Sequence, residues 1–401
     1  MTDRTTAHLF AGGGGDVGGF EAAGYRPVFA ANHAKPAVDT IRLNWPRIRR
    51  RRCDIHNIDM RTLPPARILV GSPICTEVTP AGGNSAPKLA TLDDLLEPED
   101  PQDEAAGDGD EQASPRDWAQ TRLSAWDLIR AKECNDYDVV CGENVPGFGT
   151  RWLLFNDWLR CWDTLGMNVT LTSFDAAHLD GDDFEPVAQH RHRIAFVFTR
   201  KGLPVPDLRP RPRAVCPLCG EVRGIQQWAK PRMRKIGVYG QQYRYICPRR
   251  RCGHQEVTPL TRPVGDLIDR TVPMRYVHEG RPGRKFKPYA PATLRKIEIG
   301  MERFGRKPFL VIHRRNATVV GLDEPAPAFT AAGNHHMYVV PGDTVGDCRV
   351  RMFINREKAR GQGFPDHHKW AGTTTEVNRL IGNAFPVTSA RWLATRLTPV
   401  L

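Results

Sequence analysis

The sequence predicts an α/β fold: a parallel, doubly wound sheet that carries a smaller cysteine-bearing insertion. Three observations carry this. Short apolar runs recur at residues 7–11, 28–32, 67–70 and 137–140, with helical stretches between them, the alternation of βαβ units. Glycine-rich or polar segments follow these runs, at what would be the C-terminal edge of the sheet, where open α/β sheets bind ligands. Two cysteine pairs, Cys216/Cys219 and Cys247/Cys252, fall in a proline- and arginine-rich region that lacks the alternation.

Size and composition set bounds. A chain of 401 residues has room for two to three domains. Hydrophobic residues make up 40% of it, and no run approaches the roughly 18 apolar residues of a membrane span. The first eight residues, Met1 to His8, show no basic-then-apolar signal. A soluble, cytoplasmic protein is expected. In a reducing compartment, ten cysteines point to metal binding or catalysis rather than disulfides. A net charge of +12 and a pI near 9.4 point to a polyanionic partner.

Taken in order, residues 7–11 read as a strand, and Gly12-Gly-Gly-Gly-Asp-Val-Gly-Gly19 as a glycine turn leading into a helix near Phe20. Glycines let backbone approach a nucleoside and let helix pack on strand. The spacing is not that of a pyrophosphate loop, and no Lys-Ser/Thr follows, so a cofactor without phosphates fits better. A second strand at 28–32 and a helix at 37–44 follow; Cys53-Asp54-Ile55 reads as the end of a third strand, after the basic cluster 47–52. The fourth, 67–70, opens into Gly71-Ser-Pro-Ile-Cys-Thr-Glu-Val-Thr-Pro-Ala-Gly-Gly83. Cys75 sits there between Pro73 and Pro80, whose fixed φ stiffens the loop around the thiol.

Residues 93–111 hold ten acids and no Lys or Arg, a low-complexity loop within 90–115. A helix is expected over 118–133 and a strand over 137–140, ending in Cys141-Gly-Glu-Asn-Val-Pro-Gly147 with Glu143 at its tip. A helix over 152–165 and strands at 169–173 and 194–198 follow. In the extended segment Gln189-His-Arg-His-Arg193, Gln189, Arg191 and Arg193 share a face.

From residue 203 the character changes. Cys216-Pro-Leu-Cys219 and Cys247-Pro-Arg-Arg-Arg-Cys252 have zinc-ribbon spacing within 214–254, with His254 as an alternative ligand. Residues 200–252 carry 14 Lys/Arg against Asp207 and Glu221, with Trp228, Tyr239, Tyr243 and Tyr245 interleaved, a composition suited to phosphate and base contact. A helix is expected over 291–304, strands and turns over 316–342, with Gly333-Asn-His-His336 a candidate contact loop, and helices over 352–364 and 387–397.

Cys75 in its Pro-x-Cys loop, Glu143-Asn-Val, Gln189-x-Arg-x-Arg193 and Gly382-Asn-Ala resemble, in order, the motifs of DNA (cytosine-5) methyltransferases. Phe10 to Gly15 resembles that family's first motif, and Arg356-Glu to Gly363-Phe-Pro-Asp366 its penultimate one. The resemblance implies a Rossmann-like S-adenosylmethionine-dependent methyltransferase domain at 1–202, a zinc-containing target recognition domain at 203–347, and a C-terminal segment, 348–401, that completes the catalytic domain. It implies Cys75 as nucleophile, Glu143 and Arg193 on the cytosine ring, and Arg191 in support. For S-adenosylmethionine it implies Phe10, Gly12, Gly14, His33, Asp54, Ile55, Pro73, Asn383 and Ala384. Structural zinc falls to Cys216, Cys219, Cys247 and Cys252. Double-stranded DNA is the expected partner, for a monomeric enzyme with a cognate restriction enzyme.

The chain departs from the family at Pro73-Ile-Cys-Thr76, at Asn32-His33 where an acid usually ends the second strand, and at His8. These departures leave other readings open: a catalytically degenerate zinc-stabilised DNA-binding protein, an RNA cytosine-5 methyltransferase, or a transferase using a modified S-adenosylmethionine.

Overall fold

The computed structural model describes residues 4–74, 115–230, 235–283, 285–314 and 319–401, with 115–122 described as backbone only. Cys75 and the acidic stretch 93–111 lie outside the described residues.

The first half alternates as expected: β1 (Thr5–Leu9), α1 (Gly15–Ala22), β2 (Arg26–Asn32), α2 (Lys35–Asn44), β3 (Arg49–Arg52), β4 (Ile68–Gly71), α3 (Pro115–Cys134) and β5 (Val139–Asn144). Short α4 (Pro146–Arg151) and amphipathic α5 (Phe155–Thr164) then lead to β6 (Met167–Asp175), β7 (Gln189–His190) and β8 (His192–Arg200). The seven-stranded sheet runs β3-β2-β1-β4-β5-β8-β6. Its first five strands are parallel, and β8 lies antiparallel between β5 and β6. The doubly wound expectation therefore holds, with an antiparallel pair closing one side.

Three local differences have physical reasons. β1 ends at Leu9 because Phe10 adopts a left-handed φ of 59°. The basic run is itself the third strand, paired at the sheet edge with Phe29–Asn32; Asp54 instead accepts the His56 amide and caps a 3-10 turn. An edge strand of arginines has no apolar periodicity to betray it. The helix after the glycine turn starts at Gly15, before Phe20, since its glycines admit the chain's C-terminus: a Cβ on Gly19 would lie 2.5 Å from that of Ala390.

Aromatics fill one face of the sheet. Trp162 stacks on Phe198 with centroids 4.1 Å apart, and Trp158 meets Phe196 and Phe198 edge-on. On the other face Phe20, Tyr25, Val197 and Trp392 share a core.

The second half begins with small sheets from β9 (Arg213–Cys216), β10 (Gly220–Arg223), β11 (Ile225–Trp228), β12 (Tyr243–Ile246) and β13 (Thr258–Pro259). Next come β14 (Arg275–Tyr276), α6 (Pro291–Phe304), β15 (Phe309–Ile312), β16 (Val319–Gly321), β17 (Ala326–Pro327), β18 (His336–Val340) and β19 (Arg349–Met352). A five-stranded sheet, β14-β19-β18-β15-β16, is built from these; its strand β19 lies past residue 347, where the recognition region was expected to end. The chain closes with α7 (Asn355–Arg360), shorter than the helix expected over 352–364, then α8 (Thr374–Asn383) and α9 (Val387–Leu397). α9 packs on α1, and Tyr25 donates to Ala394 O at 3.1 Å.

Candidate active site

Because β1 to β5 are parallel, their C-terminal ends share one edge, and antiparallel β8 starts there. That geometry gathers residues far apart in sequence: Phe10 and Gly12 after β1, His33 after β2, Asp54 after β3, Pro73 after β4, Glu143 in β5 and Arg193 in β8.

Glu143 is 5% exposed. Its Oε2 lies 2.9 Å from Arg193 Nε, in an ionic contact off the direction of an aligned hydrogen bond. Burial pushes the Glu143 carboxyl up, and the Arg193 and Arg191 guanidiniums pull it back. The strand end leading to Cys75 is stitched to this pair. Ser72 Oγ accepts from the Glu143 amide at 3.2 Å, Asn144 Nδ2 donates to Pro73 O at 3.0 Å, and the Ile74 amide donates to Ser124 Oγ at 3.0 Å. Gly142 has no room for a side chain: a Cβ there would sit 2.0 Å from Gly71 O.

Arg191 does something different from Arg193. It is 3% exposed, and its guanidinium donates to Phe329 O at 3.2 Å and to Gly382 O and Ala384 O at 2.9 Å. Its position is that of a clamp on the C-terminal segment, inside the protein. Gln189 has the same character: buried, it donates to Gly361 O and accepts the Phe329 amide. Residues 189–190 also pair with β17. The segment Gln189 to Arg193 thus ties three parts of the chain together and presents one arginine to Glu143.

At the glycine turn, Gly12 (φ 50°) and Gly14 (φ 83°) adopt left-handed conformations. The turn is largely packed by protein: a Cβ on Gly14 would meet Trp45 at 2.4 Å, and one on Gly15 would meet Phe385 O at 2.1 Å. Gly12 is less crowded: a Cβ there would meet nothing closer than Phe10 O at 3.9 Å. Asn383 is exposed and Ala384 buried beside this contact. His33 is exposed, its carbonyl accepting from Arg52 Nε, and Asp54 is exposed over buried Ile55.

Beneath the turn lies a network that sequence reasoning missed. His8 is fully buried, with Nδ1 2.8 Å from Asp16 Oδ2 and Nε2 2.8 Å from Thr6 Oγ1. His8 stood out by residue type, but its partner eight positions on is brought near only by the turn. The candidate contact loop at 333–336 is closed on its own surroundings: His335 bonds to His313 O and Ala332 O, and buried His336 to Pro327 O.

Away from this edge, Cys216, Cys219, Cys247 and Cys252 bring their Sγ atoms within 4.8 Å of one another. His254 does not join them. Its Nδ1 faces Cys247 O at 2.9 Å, at a left-handed φ of 57°.

The family model for C-5 cytosine-specific DNA methylase matches residues 5–90 and 281–398, about half of the chain. The chain belongs to that family. Glu143 and the 189–193 segment fall between the two matched stretches of the methylase, so their place beside the site comes from the sheet. A Type II methyltransferase of Neisseria gonorrhoeae, M.NgoFVII, is 50% identical over 80 residues, 20% of each chain. Another from Herpetosiphon aurantiacus, M.HgiDI, is 31% identical over 98 residues, 24% of this chain and 29% of that protein. The chain thus aligns with under a third of the length of these relatives. The Entamoeba histolytica methyltransferase EhMeth shares the fold, with a TM-score of 0.56 over 99% of this chain and 98% of that one, at 12% identity. No helix among the described residues is long and apolar enough to cross a membrane.

Proposed function

We propose that this chain methylates C5 of a cytosine in double-stranded DNA through a covalent adduct with Cys75. The observation that carries the reading is the buried Glu143–Arg193 pair, 2.9 Å apart, beside the strand end that leads into Cys75. Cytosine C5 is a poor nucleophile. A thiolate adding to C6 makes C5 enamine-like. Glu143, its carboxyl raised by burial, is suited to protonate ring N3 as the adduct forms and to accept from the exocyclic amine. Arg193 would hold the cytosine O2, and Arg191 would hold the segment in register. After C5 gains the methyl group, a base removes the C5 proton and the thiolate leaves C6, so no net electron transfer occurs. The base must leave the duplex stack to reach these groups.

The glycine turn fits S-adenosylmethionine. Gly12 is uncrowded, with nothing nearer than Phe10 O at 3.9 Å to a Cβ there, and residues 10–19 offer no Lys or Arg to a phosphate. Phe10, Gly12 and Gly14 would cradle it, His33, Asp54 and Ile55 would contact its nucleoside, and Pro73, Asn383 and Ala384 would close the site. When bound, it supplies an electrophilic methyl group. Cys216, Cys219, Cys247 and Cys252 would hold one structural zinc, since four thiolates leave no open position. That zinc would brace the 203–347 recognition region against DNA, between the catalytic parts 1–202 and 348–401. The Type II names of the two relatives support a companion restriction endonuclease, and the enzyme would act as a monomer.

The test is trapping on duplex DNA containing 5-fluorocytosine, which blocks proton removal. The protein is expected to form a covalent complex that the Cys75→Ser variant does not. Full methyl transfer by that variant would overturn the reading, and preference for tRNA in a competition would move it to RNA.

A further inference from the structure

A second cluster of metal-ligand type lies outside both sites. Asp175 ends β6, His178 follows in the next turn, and His190 sits in β7. One donor atom from each lies within 4.8 Å of the others. Asp175 is fully buried and His178 2% exposed. Asp175 Oδ2 is 2.7 Å from His190 Nδ1 and 3.5 Å from His192 Nδ1. Its Oδ1 is held by the amides of Ala177 at 3.1 Å and Arg191 at 2.7 Å, which fix the carboxylate in place.

We infer that Asp175, His178 and His190 form a second divalent-metal site, of the imidazole–carboxylate class that suits zinc, distinct from the four cysteines. A simple Asp175–His190 ion pair accounts for the carboxylate and leaves the rest unexplained. His178 Nδ1 is buried without a hydrogen-bond partner. Burying an imidazole nitrogen without a partner is unfavourable, and a cation shared with Asp175 and His190 would satisfy it. Two histidines and one carboxylate are an ordinary three-ligand set for zinc, with the fourth position open to water.

The location gives the site a role. Tyr239 and Tyr245, from the cysteine-bearing module, pack on the His178 ring at centroid distances of 4.5 and 5.7 Å. His190 is followed directly by Arg191, with Arg193 two residues further on. A cation here would fasten the module to the catalytic sheet and hold the segment that presents Arg193 to Glu143.

The full chain is dialysed against zinc chloride, desalted, and its metal counted by plasma mass spectrometry. His190→Ala is expected to hold one equivalent fewer than the unaltered chain. His254→Ala, a control histidine outside the cluster, should lose none. Cobalt-loaded His190→Ala should keep the thiolate-to-cobalt charge-transfer band, which reports the cysteines and the fold of their module independently. An unchanged count in His190→Ala with that band intact overturns the inference, whatever the cysteines hold. A drop of one equivalent with the band intact supports it.

Discussion

Replacing Arg191 by alanine removes a guanidinium that donates to three backbone carbonyls, those of Phe329, Gly382 and Ala384. Each is a bond from a charged donor, worth about 1.5–3 kcal/mol. The site is buried, so water does not readily replace the lost partner, and orphaned carbonyls carry their own desolvation cost. Taking the low end for all three bonds puts the loss at about 4.5 kcal/mol, a large share of the roughly 5–15 kcal/mol of an ordinary domain. Arg191→Lys keeps the charge but not the planar fork, so about half of that loss is expected. Urea unfolding measures the stability. Limited proteolysis measures whether residues 382–384, freed from the Arg191 guanidinium, become cleavable first. An unfolding midpoint for Arg191→Ala equal to that of the unaltered protein would refute the clamp, and so would a protease pattern with no new cut near 382.

Other outcomes follow from the same contacts. Glu143→Gln keeps the size but cannot give a proton, so a drop of about 10²–10⁴-fold in methyl transfer is expected. Burial raises the Glu143 carboxyl, so its protonated form persists to higher pH than for an ordinary glutamate, and activity through it falls as pH rises past that raised value; the Gln variant should lose this alkaline limb in single-turnover rates. Lys358, buried against Asn378 Oδ1 at 2.6 Å, is lowered by burial to about 8. Between about pH 8 and the ordinary lysine value of about 10.4 the unfolded chain binds the extra proton, so stability should rise with pH there, and Lys358→Met should flatten that slope in urea titrations. Cys216→Ser with Cys219→Ser should lose about one zinc equivalent by metal analysis and destabilise the 213–259 module, since structural zinc sites contribute folding energy directly.

How much could be read in advance divides by range of interaction. The parallel order of β1 to β5, the glycine turn, the position of Glu143 at a strand tip and the four-cysteine set are local patterns: apolar runs, turn residues and ligand spacing suffice for them. The arginine strand 49–52 escaped because an edge strand needs no apolar face. The two arginines at 191 and 193 looked alike on an extended chain. They part only because backbone carbonyls from residues 329, 382 and 384 arrive beside one and Glu143 beside the other.

From its residues alone, then, this chain determines its fold class, its membership among cytosine-5 methylases and the chemical types at its site, because periodicity and motif spacing are carried within short windows. Tertiary structure alone decides which side chains meet: the C-terminal helix against the glycine turn, His8 against Asp16, and Asp175 beside His178 and His190. Those meetings join residues separated by up to several hundred positions, and their energies come from burial and pairing that no local window contains.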